Sequence, residues 1–150
     1  MRSSWQRPLA GMAEALEVAT VCVASRIGFQ GANLRRMDTD CLFCRIASGE
    51  ISASVVAETP RAMAFRDISP QAPVHVVVIP KDHHPDVAAL SLADPDLAAE
   101  VLVLASQVAQ SEGLDSGFRV VFNSGSDAGQ SVFHVHAHVL GGRSLGWPPG

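Results

Sequence analysis

The sequence predicts an α+β fold in which helices pack on a largely antiparallel sheet. Three observations carry this. Two short β-rich runs, SVVAET and AMAFRD, flank Pro60 and Arg61, the spacing of an antiparallel hairpin. Residues 91–112 carry a helical apolar stripe. Two further strand-like runs, FRVVFN and SVFHVHAHVL, are joined by the Gly- and Asp-rich loop SGSDAGQ.

Taken in order, TDCLFCRIASG opens the folded part. Thr39 or Asp40 is the predicted N-cap, Leu42, Phe43 and Ile46 share one helix face, and Gly49 is the stop. The hairpin follows, then VHVVVIP, an apolar run that reads as a buried strand ended by Pro80. The long helix is predicted over 91–112, with Asp94 and Pro95 as N-cap and first helical position. Leu97, Val101, Leu104, Ala105 and Val108 form its stripe, and Gly113 ends it. The predicted order is short helix, three strands, long helix, two strands.

A chain of 150 residues is long enough to bury a core within one domain. Its net charge of -4 is uneven. Residues 1–37 carry five arginines against Glu14 and Glu17, whereas residues 38–150 carry six Lys/Arg against thirteen Asp/Glu. No basic stripe is left to displace phosphate counterions, so a general nucleic-acid binder is excluded. A small anionic ligand is not, because backbone amides and a few side chains hold one. No apolar run approaches the ~20 residues that span a bilayer, so no membrane partner is expected. The three cysteines, Cys22, Cys41 and Cys44, are an odd number without a secretory signal; they argue against a disulfide framework and for the cytoplasm. Residues 1–37 show no hairpin pattern. A helix over 9–24, an arginine-rich targeting arm, and a true start at Met37 are all compatible with them, and a weakly packed arm is expected.

The chemistry concentrates in FHVHAHVLGG, which holds His134, His136 and His138. On a strand these three share one face, while Val135, Ala137 and Val139 take the other. Three imidazoles in a row are a poor core, since each needs hydrogen-bond partners. They are also a poor three-histidine metal site. Positions i and i+2 lie ~6.7 Å apart and the outer pair ~13 Å. The carboxylate that a His-x-His site commonly recruits does not occur after Asp127. Catalysis remains: a neutral imidazole is a competent nucleophile near neutral pH. For phosphorus chemistry it needs a neighbour that fixes its tautomer, donors around the phosphate, and a proton source. Flanking histidines, Ser131 and the amides of the SGSDAGQS loop are the candidates.

HVHAHVL fits His-φ-His-φ-His-φ-φ, and the chain resembles the histidine triad (HIT) superfamily. FRDISPQAPVHVVVIPK, GSDAGQSVFHVHAHVLGGR and the terminal WPPG are similar to its nucleotide-binding (Hint) branch, over residues 38–150. The resemblance implies a homodimer on an antiparallel HIT-like sheet that hydrolyses purine nucleoside phosphoramidates. It makes His136 the nucleophile, which is nucleotidylated and then releases a nucleoside monophosphate, with no organic cofactor. It gives His138 and His75 supporting roles. Ser131, Asn123 and Gln130 are assigned to the nucleotide's polar parts, Asp67 and Ile68 to the ribose, and Leu42, Phe43, Ile46 and Phe65 to the base. Trp147 is assigned to the neighbourhood of the partner subunit's site. Lys81, Arg119 and Arg143 read as solvated surface. Two other functions share these residues: a nucleotide-binding regulatory module and a dinucleoside polyphosphate hydrolase. Ser52 stands where the branch commonly has proline, and Ala137 is small for its position.

Cys41-x-x-Cys44 supplies two ligands of a tetrahedral site. The resemblance implies that His83 and His134 complete a structural zinc site, with His84 as the alternative to its neighbour.

Overall fold

The computed structural model describes residues 40–149. The expectations for residues 1–37, and Thr39 as a cap, lie outside the described residues.

The first helix, α1 (Leu42–Ala47), is short and buries Phe43, Cys44 and Ile46. Its N-cap is Cys41 in extended conformation, with no side-chain cap bond. This corrects the expected Asp40 cap: the helix starts one residue later and the capping position holds a thiol. Gly49 ends the segment at φ 78°, a left-handed conformation that glycine adopts without strain.

Strands β1 (Val55–Glu58) and β2 (Ala62–Arg66) form the predicted hairpin, and β3 (Val74–Pro80) pairs antiparallel with β2. Two helices follow where one was expected. Helix α2 (Val87–Ala93) starts on Asp86, whose Oδ1 accepts from the Ala89 amide at 2.8 Å. Helix α3 (Pro95–Ser111) starts on Asp94, whose Oδ1 accepts from the Leu97 amide at 2.9 Å. Residues 91–93 therefore belong to α2. Asp94 caps the end of one helix and the start of the next, and Pro95 cannot donate the bond that would fuse them. Gly113 follows α3 at φ 70°.

Strands β4 (Phe118–Phe122) and β5 (Ala137–Gly141) are joined by a loop with a 3-10 turn at Ser126–Ala128. The sheet order is β1-β2-β3-β5-β4 with every pairing antiparallel. The last strand begins six residues later than the apolar alternation predicts, because its ladder runs out. Val78 and Phe122 flank Ala137 as the final paired positions. Two residues beyond Val78 is Pro80, which has no N–H to donate, and its carbonyl accepts from His134 instead. His134 and His136 thus lie in an irregular lead-in to β5, His134 at a bend, and only His138 lies on the strand.

The sheet has two unlike faces. Val76, Val78, Ala137 and Val139 meet Leu97, Val101, Leu104 and Val108 of α3 in an apolar core, to which Val135 also belongs. Side chains on the other face alternate with these. Phe65, Val77 and Ile79 pack there with Phe43 and Ile46 of α1. The histidine face lies on this second side, since Val77 stands opposite His138 in the ladder.

Candidate functional site

Phe43 links the second core to the imidazoles. Its ring lies edge-on to His136 (centroids 5.1 Å), His134 (5.9 Å) and Phe65 (5.7 Å). Beside it opens a cavity of about 560 Å³ lined by Leu42, Phe43, Ile46, Phe65, Asp67 and Ile68, the six residues expected for base and ribose. Ile51, Ala53, Val77 and Val132 also line it and were not anticipated. Val77 had a signal, since it alternates with His75 on one strand. Ile51 and Ala53 lie in irregular chain with no periodicity to read.

The backbone assigns the imidazole protons, because a carbonyl only accepts and an amide only donates. His136 Nδ1 lies 2.7 Å from the His134 carbonyl, so Nδ1 carries the proton and Nε2 keeps its lone pair. His75 Nδ1 accepts from the Gln71 amide at 3.1 Å, which places its proton on Nε2. That proton is donated to His138 Nδ1 at 2.8 Å, leaving His138 with a proton on Nε2. Asp67 Oδ2 stands 3.5 Å from His75 Nε2. The His136 and His138 rings meet edge-on with centroids 4.9 Å apart.

Burial holds His138 well below the ordinary imidazole range, at about 4; the neighbouring His136 and His75 push the same way, and Asp67 opposes. Burial lowers His75 as well, against Asp67. Both are neutral at pH 7, so the relay uses lone pairs and not charges.

The third grouping is Cys41, Cys44, His83 and His134, whose ligand atoms all lie within 4.8 Å of one another. His134 Nδ1 is 3.5 Å from each sulfur, and His83 Nδ1 is 3.4 Å from Cys44 Sγ. Tetrahedral zinc, with bonds of ~2.0 Å to nitrogen and ~2.3 Å to sulfur, sets N···S separations of roughly 3.5 Å. These three separations match a tetrahedral metal's, so the residues present fit such an ion. His134 Nε2 donates to the Pro80 carbonyl at 2.9 Å, which turns the unprotonated Nδ1 toward the thiols. Of the two neighbouring histidines, His83 takes the ligand position, while the His84 carbonyl accepts from the Val135 amide at 2.7 Å.

The remaining predicted residues do not line the cavity beside Phe43. Ser131 is exposed and lines a neighbouring cavity of about 440 Å³ with Cys41, Leu42 and His83. Asn123 is half-buried just past β4, and Trp147 is exposed. Gln130 is buried, and its amide serves the loop: Oε1 accepts from Gly125, and Nε2 donates to the Pro85 and Val132 carbonyls. The loop expected as an anion nest uses four of its amides internally. The amides of Gly125, Ala128, Gly129 and Gln130 are all engaged within it, so none of the four faces outward as a donor. Arg143, expected as solvated surface, donates to the Gln71 carbonyl at 3.1 Å. No described helix is long and apolar enough to cross a membrane.

Known proteins share this arrangement. A HIT family hydrolase from Legionella pneumophila Philadelphia 1 superposes with a TM-score of 0.72 at 51% identity, over 74% of this chain and all of that one. A histidine triad nucleotide-binding protein from Candida albicans gives 0.63 at 32% identity, over 72% of this chain and 82% of that one. A 14 kDa zinc-binding protein of Brassica juncea is 46% identical over 114 residues, 74% of this chain and the whole of that protein. The HIT domain family matches residues 48–145. With the fold, the histidine run and these relatives in agreement, the chain belongs to the HIT domain family.

Proposed function

We propose that the protein is a purine nucleoside phosphoramidase working through His136. The observation that carries this is the tautomer of His136: its Nδ1 proton is held by a backbone carbonyl, so Nε2 keeps the lone pair that a nucleophile needs. Nε2 attacks the α-phosphorus, the P–N bond breaks, and the amine leaves with a proton drawn from solvent, which the water of the next step returns. Water then cleaves the nucleotidyl-histidine, giving a nucleoside monophosphate and free imidazole. The apolar cavity beside Phe43 suits a purine, and Asp67 at its rim suits ribose hydroxyls, which donate to a carboxylate. Ser131 and Asn123 are proposed to meet the phosphate. The Legionella relative, named a hydrolase, supports bond cleavage, and the Candida relative, named nucleotide-binding, supports the ligand class.

Zinc is proposed at Cys41, Cys44, His83 and His134, by the separations above and by the name of the Brassica relative. Bound there, it supplies a closed structural cross-link with no open position for substrate. A homodimer is also proposed, through β4, one of the two edge strands of the sheet, where Phe118 is exposed. Two reduced thiols suit a cytoplasmic protein.

The test is His136→Ala. Turnover of an adenosine phosphoramidate should fall by about 10³-fold or more while AMP still binds. In the unaltered enzyme, a nucleotidylated peptide trapped by acid quench should carry its adduct on His136. Full activity in the variant refutes the mechanism. Slow turnover in the unaltered protein beside tight AMP binding indicates a nucleotide-binding module, and faster cleavage of dinucleoside polyphosphates indicates the third reading.

A further inference from the structure

We infer that the Cys41–Cys44–His83–His134 cluster is a clamp on the nucleophile, and that His134 is its positioning residue. The inference rests on the zinc reading above. His134 acts at both ends: its ring faces the thiols through Nδ1, and its own carbonyl holds the Nδ1 proton of His136. A metal that fixes the ring thereby fixes the carbonyl that sets the tautomer of the attacking imidazole.

The segment needs such a clamp. Residues 132–136 precede the ladder, which begins at Ala137, so no strand pairing holds them. The bonds that hold His134 and Val135 run to the end of β3 and the chain just after it: His134 Nε2 to the Pro80 carbonyl, and the Val135 amide to the His84 carbonyl. His83, next to that second anchor, is itself in the cluster. The cysteines come from α1, which also carries Phe43 against the His136 ring. One ion would thus tie together the segment bearing the nucleophile, the chain after β3, and the helix that walls the base cavity. Helix α1 keeps its place without the ion, because Phe43 and Ile46 are packed with Phe65, Val77 and Ile79. Metal loss is therefore felt at the nucleophile more than in the base cavity.

The experiment uses the full chain, purified without a histidine tag, before and after chelation and again after added zinc. Zinc content, circular dichroism, the His136 ring nitrogens by ¹⁵N NMR at one fixed pH, and steady-state kinetics are read together. The expected result is about one zinc per chain and a metal-free protein that keeps its fold. Its kcat should be about 10- to 100-fold lower, KM should stay within about two-fold, and both should recover with zinc, the range seen when groups supporting a metal site are lost. The His136 signals should move from a single Nδ1–H tautomer to a mixture. Cys44→Ser should reproduce the metal-free state without a chelator. A protein that binds zinc but shows the same tautomer and kcat without it overturns the clamp and leaves the zinc reading standing. A protein that takes up no zinc overturns both. Global unfolding on metal loss, in the chelated protein and in Cys44→Ser alike, also overturns the clamp, since the ion would then staple the whole fold. The tautomer and metal readings need no substrate, so they stand apart from failure of the phosphoramidase assignment.

Discussion

Two clusters flank His136, the proposed nucleophile, and each puts a pair of imidazoles to a different use. At one end His134 joins His83 and two thiols; at the other His138 joins His75 and Asp67. Both sets bring their ligand atoms within 4.8 Å. What separates them is the ring nitrogen that the backbone claims. Pro80 offers a carbonyl, which takes the proton of His134 and leaves a lone pair toward the sulfurs. Gln71 offers an amide, which takes the lone pair of His75 and leaves a proton toward His138. The first is ready for a cation, and the second already holds its proton in a hydrogen bond. Distances agree. His75 and His138 nitrogens lie 2.8 Å apart, closer than the roughly 3.3 Å that two nitrogens keep around tetrahedral zinc. A cluster of ligand-type residues is therefore not yet a metal site; the tautomer decides.

The most forceful way to break this contrast is to disable the first cluster and look for metal in the second. His83→Ala should lower bound zinc from about one per chain to none. Where free zinc stands about 100-fold above its Kd, the stabilisation it gives, about 2.7 kcal/mol by mass action, should vanish from urea unfolding curves. Zinc persisting at one per chain in Cys44→Ser/His83→Ala, and lost only when His75→Phe is added, would show that Asp67, His75 and His138 bind it, and the contrast would collapse. The converse is His75→Phe, which keeps a flat ring and removes the donor to His138. Here zinc content should stay unchanged while kcat falls about 10- to 100-fold, up to about 2.7 kcal/mol in barrier. Loss of zinc in this second variant would mean the two clusters are not independent.

Acid gives the smallest and most graded test. The folded protein takes up the His138 proton only near pH 4, whereas an unfolded chain takes it near 6.5. Between those values the unfolded state binds the extra proton, so stability is full above about 6.5, declines as pH falls through the window, and flattens below about 4. The groups facing His138 are His136, His75 and Asp67; the imidazoles deepen the effect and the carboxylate opposes it. Urea titrations across that range should show a shallower decline for His138→Phe than for the unaltered protein. An identical slope in the two would remove His138 as a source of acid sensitivity.

Much of this was legible in residue order. The shared face of the histidines, the apolar back formed by Val135, Ala137 and Val139, and the pairing of a C-x-x-C with a histidine after VIP all follow from alternation or resemblance. Backbone chemistry was not legible. Apolar alternation continues through Val132, but a strand needs a partner, and Pro80 ends the ladder where the alternation does not. Helix α2 went unseen because its start lies just past Pro85, and its run into Asp94 and Pro95 read as one helix with a ragged beginning. The groups that assign the protons of His75, His134, His136 and His138 are the carbonyls of Pro80 and His134 and the amide of Gln71. Side-chain identity carries no record of where they point.

The place of β5 in the sheet has one more consequence. It is the last strand in the chain, yet it lies between β3 and β4 and not at an edge. It cannot be appended to a finished sheet; β3 and β4 meet only through it. As the chain emerges from the ribosome, His75 and the thiols are made long before the residues that complete their clusters. A chain that stops short of His134 thus lacks one imidazole of each cluster and lacks His136, the proposed nucleophile.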